Sequence, residues 1–175
     1  MEKKTNREEI YEGKVIHVVK DSVELDDGSR ALREVVLHNG GVCIGLNRDG
    51  RYAMVRQYRY AQDKMMYEFP AGKIEKGEDP DEAILRESVE EIGYEAINVI
   101  RLGQMIPTCG YSSEIIYLYH GKAGKECGQH LDVDERIDVS WHTLDEIRDM
   151  VRNGLIDDGK TMALLYRMEL ENIDE

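Results

Sequence analysis

The sequence predicts an α/β protein: a mixed sheet with helices on both of its faces, preceded by antiparallel strands. Three observations predict it. Strand-like and helix-like stretches are interleaved along the 175 residues. Several neighbouring strand stretches are close enough to pair as hairpins. The first of them form a β-rich block that ends before the first helix signal.

Residues 1–10 are polar and expected to fray. From Tyr11 to Leu25 the chain turns β-rich, in KVIHVV and then SVEL, and Asp26-Asp27-Gly28 supplies a turn. Arg30 to His38 reads as a third strand, and Asn39-Gly40-Gly41 as a break. This meander is expected to be a dimerising addition over residues 1–39, with the main domain over 40–175. Val42 to Leu46 and Tyr52 to Gln57 read as strands around Arg48-Asp49-Gly50, and Tyr67-Glu68-Phe69 leads into Pro70-Ala71-Gly72.

Asp79-Pro80 is a helix start, an Asp cap followed by proline at the first helical position. Gly93 is placed to end that helix in a left-handed cap. Strands follow within Ile97–Ile106, Glu114–His120 and Ile137–Trp141, with a polar, mobile loop expected over Ala123–Arg136. Thr143 caps a helix running to Asn153-Gly154, and Lys160 to Leu170 is apolar at helical spacing.

Composition narrows the function. Thirty-six acidic and 23 basic residues give a net charge of −13, which argues against a nucleic-acid coat or an anionic membrane surface. No apolar run is long enough to cross a bilayer, and the N-terminus lacks the apolar core of a signal peptide, so a cytoplasmic protein is expected. Cys43, Cys109 and Cys127 are widely spaced and form no CxxC pair, so neither zinc nor a disulfide framework is expected.

The informative stretch is GKIEKGEDPDEAILRESVEEIGY, Gly72 to Tyr94. At about 100° per residue, Leu85, Val89 and Ile92 fall on one side of the helix, suited to packing on a sheet. Glu87, Glu90 and Glu91 fall opposite, within a sector of about 100°. Glu87 and Glu91 stack one turn apart and disfavour each other unless a cation bridges them. Mg²⁺ takes a few carboxylates together with water and phosphate oxygens, so the pattern suggests a divalent metal holding a phosphorylated ligand. Arg86 can pair with Glu82 and steady the acidic face. Gly72 allows a sharp turn and a close ligand approach, and the Ala71 carbonyl before it can serve as a ligand. The helix alone also fits a plain solvated face.

The whole stretch resembles the Nudix box, GX5EX7REUXEEXGU: Gly72, Glu78, Arg86-Glu87, Glu90-Glu91 and Gly93 match every fixed position. Ser88 departs from the bulky aliphatic usual there. The resemblance implies a Nudix-type α/β/α sandwich and hydrolysis of a nucleoside diphosphate linked to another group, with Mg²⁺ or Mn²⁺. Beyond the box, Arg33-Glu34-Val35-Val36 with His38, Arg56-Gln57-Tyr58-Arg59, Glu68-Phe69-Pro70-Ala71-Gly72 and Pro107 to Glu114 are similar to the ADP-ribose and ADP-sugar pyrophosphatase branch. Gly154 to Thr161 is similar to a segment shared with GDP-mannose pyrophosphatases. In that branch an N-terminal sheet exchanges between subunits, which implies a homodimer here.

The resemblance also implies residue roles. Ala71 through its carbonyl, Glu87 and Glu91 are expected as metal ligands, Glu90 as a further ligand or orienting group, and Arg86 as the residue that holds the carboxylates. Arg56 and Arg59 are expected to meet phosphates, with strand-end surface charge as the alternative. Arg33 and Glu34 are expected to reach the partner subunit's ligand. Glu135 is the expected base, with Asp132 and Asp134 as neighbours in the same loop. Glu114, grouped with the substrate-binding residues, is a second candidate for the base. ADP-ribose is the expected substrate, and GDP-mannose or another nucleotide sugar the alternative. A sensor that binds without cleaving is disfavoured by the complete set of box glutamates.

Overall fold

The computed structural model describes residues 1–133 and 135–173. They form two compact units, Met1–Gly40 with Ile106–Ile115, and Gly41–Met105 with Ile116–Glu175. The first unit holds an antiparallel sheet of β1 (Lys3–Glu12), β2 (His17–Glu24) and β3 (Arg30–Leu37), in that order. The turn at Asp26-Asp27-Gly28 joins β2 to β3, with Gly28 at φ +81°. Residues 3–10 are strand rather than frayed chain. Nearly all of β1 is exposed, and it is held by backbone pairing and by ion pairs across the ladder, Arg7 with Asp21 and Lys20 with Glu8. Hydrophobic patterning could not reveal a strand secured in this way. The Pro107–Glu114 loop joins the same unit: Val36 N–H donates to the Tyr111 carbonyl at 2.7 Å, and Ser113 N–H to the Val36 carbonyl at 2.9 Å.

The second unit is built on β4 (Gly41–Arg48), β5 (Arg51–Arg59), β6 (Lys64–Glu68), β7 (Ala71–Lys73), β8 (Tyr94–Met105), β9 (Ile116–Glu126) and β10 (Ile137–His142). The main strand order is β10-β5-β4-β9-β8, with β6 on β5 and β7 on β4. β4 and β9 run parallel and the other pairs antiparallel, so the sheet is mixed.

Alternation along β4 sets the layers, since successive side chains leave a strand on opposite faces. Val42, Ile44 and Leu46 join a core with Ala83, Ile84 and Ile92 of the first helical segment. Cys43 joins the opposite core, with Leu144 and Ile147 of α2 (Leu144–Arg152) and Leu164, Leu165 and Met168 of α3 (Gly159–Leu170). Helices on both faces make the expected α/β/α sandwich. On the α3 side Gly45 leaves room for a helix: a Cβ there would lie 2.8 Å from Met168 Sδ. Among the described residues no helix is long and apolar enough to cross a membrane.

The helix after the glycine loop is α1 (Pro80–Glu87), continued by a π-helical turn over Ser88–Ile92. Its start is the expected one, with Asp79 accepting the Asp81 N–H at 2.8 Å. Its end is also as expected, at Gly93 with φ +81°. Its buried face differs. Ile84 and Ser88, one turn apart, are fully buried, whereas Leu85 is 45% exposed. The Ser88 hydroxyl is buried without cost because it donates to the Ile84 carbonyl at 2.8 Å. The wider π turn carries an extra residue, which turns Glu91 inward beside Ile92.

Candidate active site

Three of the four box glutamates, Glu78, Glu87 and Glu90, are gathered by one guanidinium. Arg86 Nε and Nη2 hold Glu78 at 2.8 and 3.0 Å, and Nη1 donates to Glu87 and Glu90, both at 2.8 Å. Nη2 also donates to the Lys73 carbonyl at 3.0 Å, tying the loop to the helix. The expected Arg86–Glu82 pair is replaced by the Glu78 pair. The turn at Glu75–Glu78 folds the loop back, and Glu78 also accepts the Glu75 N–H at 2.8 Å. The Glu78 hydrogen bond foremost raises Arg86 above its ordinary pKa, and the same bond lowers that of Glu78.

Glu87 lies against the α-carbon of Gly72: a Cβ built there would sit 1.7 Å from Glu87 Cδ. Gly72 is therefore required by this close approach. Glu91 is 5% exposed, and its Oε2 accepts the Ala71 N–H at 3.0 Å. Burial pushes the Glu91 carboxyl up to about 8, with the Ala71 N–H opposing and the Glu87 and Glu135 charges adding to the rise. Burial also raises Glu87, against the pull of Arg86 and with contributions from Glu90 and Glu135. Two inward carboxylates raised by burial and by like charge are stabilised when a cation joins them.

The backbone at Ala71 suits such a cation. Gly72 pairs with Val42 and Pro70 accepts the Ile44 N–H, so Ala71 occupies the intervening position, opposite Cys43. At that position a residue directs both its N–H and its carbonyl away from the neighbouring strand. The Ala71 N–H meets Glu91, and the carbonyl faces the same side. Among the described residues, no three His, Cys, Asp or Glu side chains form a ready-made metal cage. Glu87 and Glu90 are instead turned towards Arg86. The donor set present, two carboxylates and a carbonyl, fits a hard divalent ion that keeps several waters and takes substrate oxygens.

The loop carrying Glu135 is fastened to this helix. Gly93 accepts Cys127 N–H and Gly128 N–H, and Glu90 accepts His130 N–H at 2.9 Å. Gln129 Nε2 donates to the Glu91 carbonyl at 2.7 Å and reaches the Ile137 carbonyl at 3.4 Å. The expected mobile loop therefore has β9 running on to Glu126 and an anchored segment over 127–130 that satisfies the terminal carbonyls of the π turn. The Glu135 charge acts on both Glu87 and Glu91, and its carboxylate accepts the Asp132 N–H at 3.2 Å. Asp134 lies outside the described residues.

The arginines differ. Arg56 is held loosely, 3.8 Å from Asp138 and over the Tyr67 ring. Arg59 commits Nε and Nη2 to Glu68, each at 2.6 Å, which leaves Nη1 for another anion. A cavity of about 500 Å³ opens beside it, with Lys64, Asp157 and Lys160 in its wall. In the first unit Arg33 pairs with Glu2, Glu34 faces Lys20 across the strands, and Glu114 lies 3.5 Å from His38 Nδ1.

Sequence reasoning gave no role to Gln129, Lys160 or Thr161. Lys160-Thr161 closes the Gly154–Thr161 stretch, where a lysine and a threonine at a helix start were the only signal, and the burial of Thr161 is visible only in the fold.

Comparison with known proteins finds relatives of this sequence and fold. The sequence model of the NUDIX domain matches residues 37–165. A methanol dehydrogenase activator of Bacillus methanolicus is 39% identical over 97% of this chain and 94% of its own. An ADP-ribose pyrophosphatase of Bacillus subtilis (strain 168) is 33% identical over the same shares. The crystal structure of an ADP compounds hydrolase superposes with a TM-score of 0.86, covering 97% of this chain and 92% of that one, at 20% identity, a likeness of fold.

Proposed function

Because the chain belongs to the Nudix family and is a hydrolase of it, we propose that it cleaves the diphosphate of ADP-ribose, or of a related ADP-sugar, to AMP and a sugar phosphate. The observation that carries this is the pair of inward carboxylates at adjacent residues of the glycine loop, Glu91 on the Ala71 N–H and Glu87 against the α-carbon of Gly72. Nudix hydrolases in general need a divalent metal, and our reading of the ion is Mg²⁺, with Mn²⁺ as the alternative.

Glu87, Glu91 and the Ala71 carbonyl would hold the metal. When bound, it supplies charge against the diphosphate oxygens and lowers the pKa of a coordinated water. Arg86 keeps Glu87 and Glu90 in place through the bonds already described, and Glu90 orients the site. Glu135 takes the proton of the attacking water, held near the carboxylates by the Gln129 anchor. Arg56 and the remaining Nη1 edge of Arg59 meet phosphate oxygens. Arg33, Glu34 and Glu114 contact the rest of the substrate, and exchange of the N-terminal sheet in a homodimer places Arg33 and Glu34 on the partner's ligand. A monomer in sedimentation at micromolar concentration contradicts that exchange. The free thiols fit a cytoplasmic setting.

The test is a substrate panel of ADP-ribose, ADP-glucose, NAD⁺ and GDP-mannose with Mg²⁺, read as phosphate released by a coupled phosphatase. Preference for ADP-ribose supports the proposal, and preference for GDP-mannose overturns the substrate. The 39% identical relative favours a second reading, in which the chain activates a dehydrogenase. A purified alcohol dehydrogenase whose rate is unchanged by the chain and Mg²⁺ contradicts it.

A further inference from the structure

We propose that Thr161 and Lys160, in the first turn of α3, are positioning residues that aim the Ala71 carbonyl; this rests on the reading of that carbonyl as a metal ligand. Three residues in succession, Glu68 at the end of β6 and then Phe69 and Pro70, lead to Ala71, and each is anchored by a residue distant in sequence. Glu68 takes Arg59 on both oxygens and Lys160 Nζ on Oε2. Phe69 N–H donates to Thr161 Oγ1 at 2.8 Å. The Pro70 carbonyl accepts the Ile44 N–H at 3.0 Å. The next peptide is the one whose N–H meets Glu91.

The Thr161 hydroxyl has a fixed sense. Its hydrogen goes to Asp158 Oδ2 at 2.6 Å, and the same oxygen accepts the Thr161 N–H at 2.9 Å. An oxygen already donating to Asp158 presents a lone pair to Phe69, so the helix cap and the strand are locked together. The cap is made by Asp158 and needs only the Thr161 N–H. The hydroxyl as acceptor serves Phe69 alone, in a place where both residues are fully buried.

Lys160 acts in parallel. Its Nζ lies 3.1 Å from Asp158 Oδ1 while it also holds Glu68, whose side chain is 2% exposed. Arg59 and Lys160 outweigh burial and hold the Glu68 carboxyl below its usual range. A buried ionic cluster of this kind adds little stability compared with an apolar replacement, and its use is geometric. Here it sets residue 68, three positions before the proposed ligand.

The experiment is Mn²⁺ binding without substrate, followed by the electron paramagnetic resonance signal of the free ion. It compares the unaltered chain with Thr161→Val, Thr161→Ser, Lys160→Gln and Glu91→Gln, with circular dichroism as the check of fold. Thr161→Val is expected to weaken Mn²⁺ binding about tenfold, as loss of an outer-shell partner does, and Lys160→Gln to weaken it in the same sense. Thr161→Ser keeps the hydroxyl and is expected to bind as the unaltered chain does. Folded Thr161→Val and Lys160→Gln with unchanged affinity, beside a Glu91→Gln that has lost it, overturns the positioning role and leaves the metal reading standing. Full affinity in Glu91→Gln overturns the metal reading and the proposal with it. If Thr161→Val does not fold, Lys160→Gln decides.

Discussion

Glu87 occupies the space that any side chain at position 72 would need: a Cβ on Gly72 would fall 1.7 Å from Glu87 Cδ and 2.0 and 2.2 Å from its two oxygens. The close approach binds the glycine loop to the carboxylate helix. Gly72→Ala must displace Glu87 or the loop. Expected is a stability loss of about 1–3 kcal/mol, typical of overpacking, together with loss of turnover. Urea denaturation and a hydrolysis assay check the two parts, and an unperturbed, active Gly72→Ala contradicts the geometry.

Arg86 makes its bonds to Glu78, Glu87 and Glu90 with a planar fork that lysine cannot reproduce. Arg86→Lys is expected to keep the fold by circular dichroism and to lower kcat about 10- to 100-fold. Turnover equal to that of the unaltered chain would show that the charge alone suffices.

Glu91 gives the metal-free protein a pH signature. Its carboxyl is pushed up to about 8 from an ordinary value of 4.5. In that interval the folded chain holds a proton that the unfolded chain releases, so stability falls as pH rises from about 4.5 to about 8. Glu87 shifts in the same direction and adds to the fall. In chelator, Tm is expected to drop across this window, and Glu91→Gln to remove part of the drop. The same Tm profile in both proteins contradicts the assignment.

Gln129 ties the loop of the proposed base to the helix of the proposed metal ligands. Its amide donates to the Glu91 carbonyl and to that of Ile137, and Gln129 and Ile137 flank the segment that carries Glu135. Gln129→Ala is expected to lower kcat about tenfold while leaving Mn²⁺ affinity unchanged, since it touches no carboxylate of the site. Equal loss of both places Gln129 within the metal site instead.

What the sequence revealed was local. Asp79-Pro80 and Gly93 mark helix ends by their own backbone preferences, and the Glu87–Glu91 spacing survives in the fold. The π turn was not legible, because nothing in a 3.6-residue period announces an extra residue; Leu85 was therefore expected inside and Glu91 outside. Arg86 was assigned a helical neighbour because i,i+4 pairs are visible in sequence, whereas Glu78 reaches it through a folded loop. The pairs Glu68–Lys160 and Phe69–Thr161 each span 92 residues, and no local signal connects their members. β1 escaped notice for a different reason, since its residues are charged on both faces and its partners lie in β2.

The most direct measurement is product analysis by phosphorus NMR after incubation of ADP-ribose with the chain and Mg²⁺, beside Glu91→Gln under the same conditions. The account predicts AMP and ribose 5-phosphate from the unaltered chain, none in chelator, and at least about a 100-fold slower reaction from a folded Glu91→Gln. Intact ADP-ribose with the unaltered chain, or full turnover by Glu91→Gln, would contradict it.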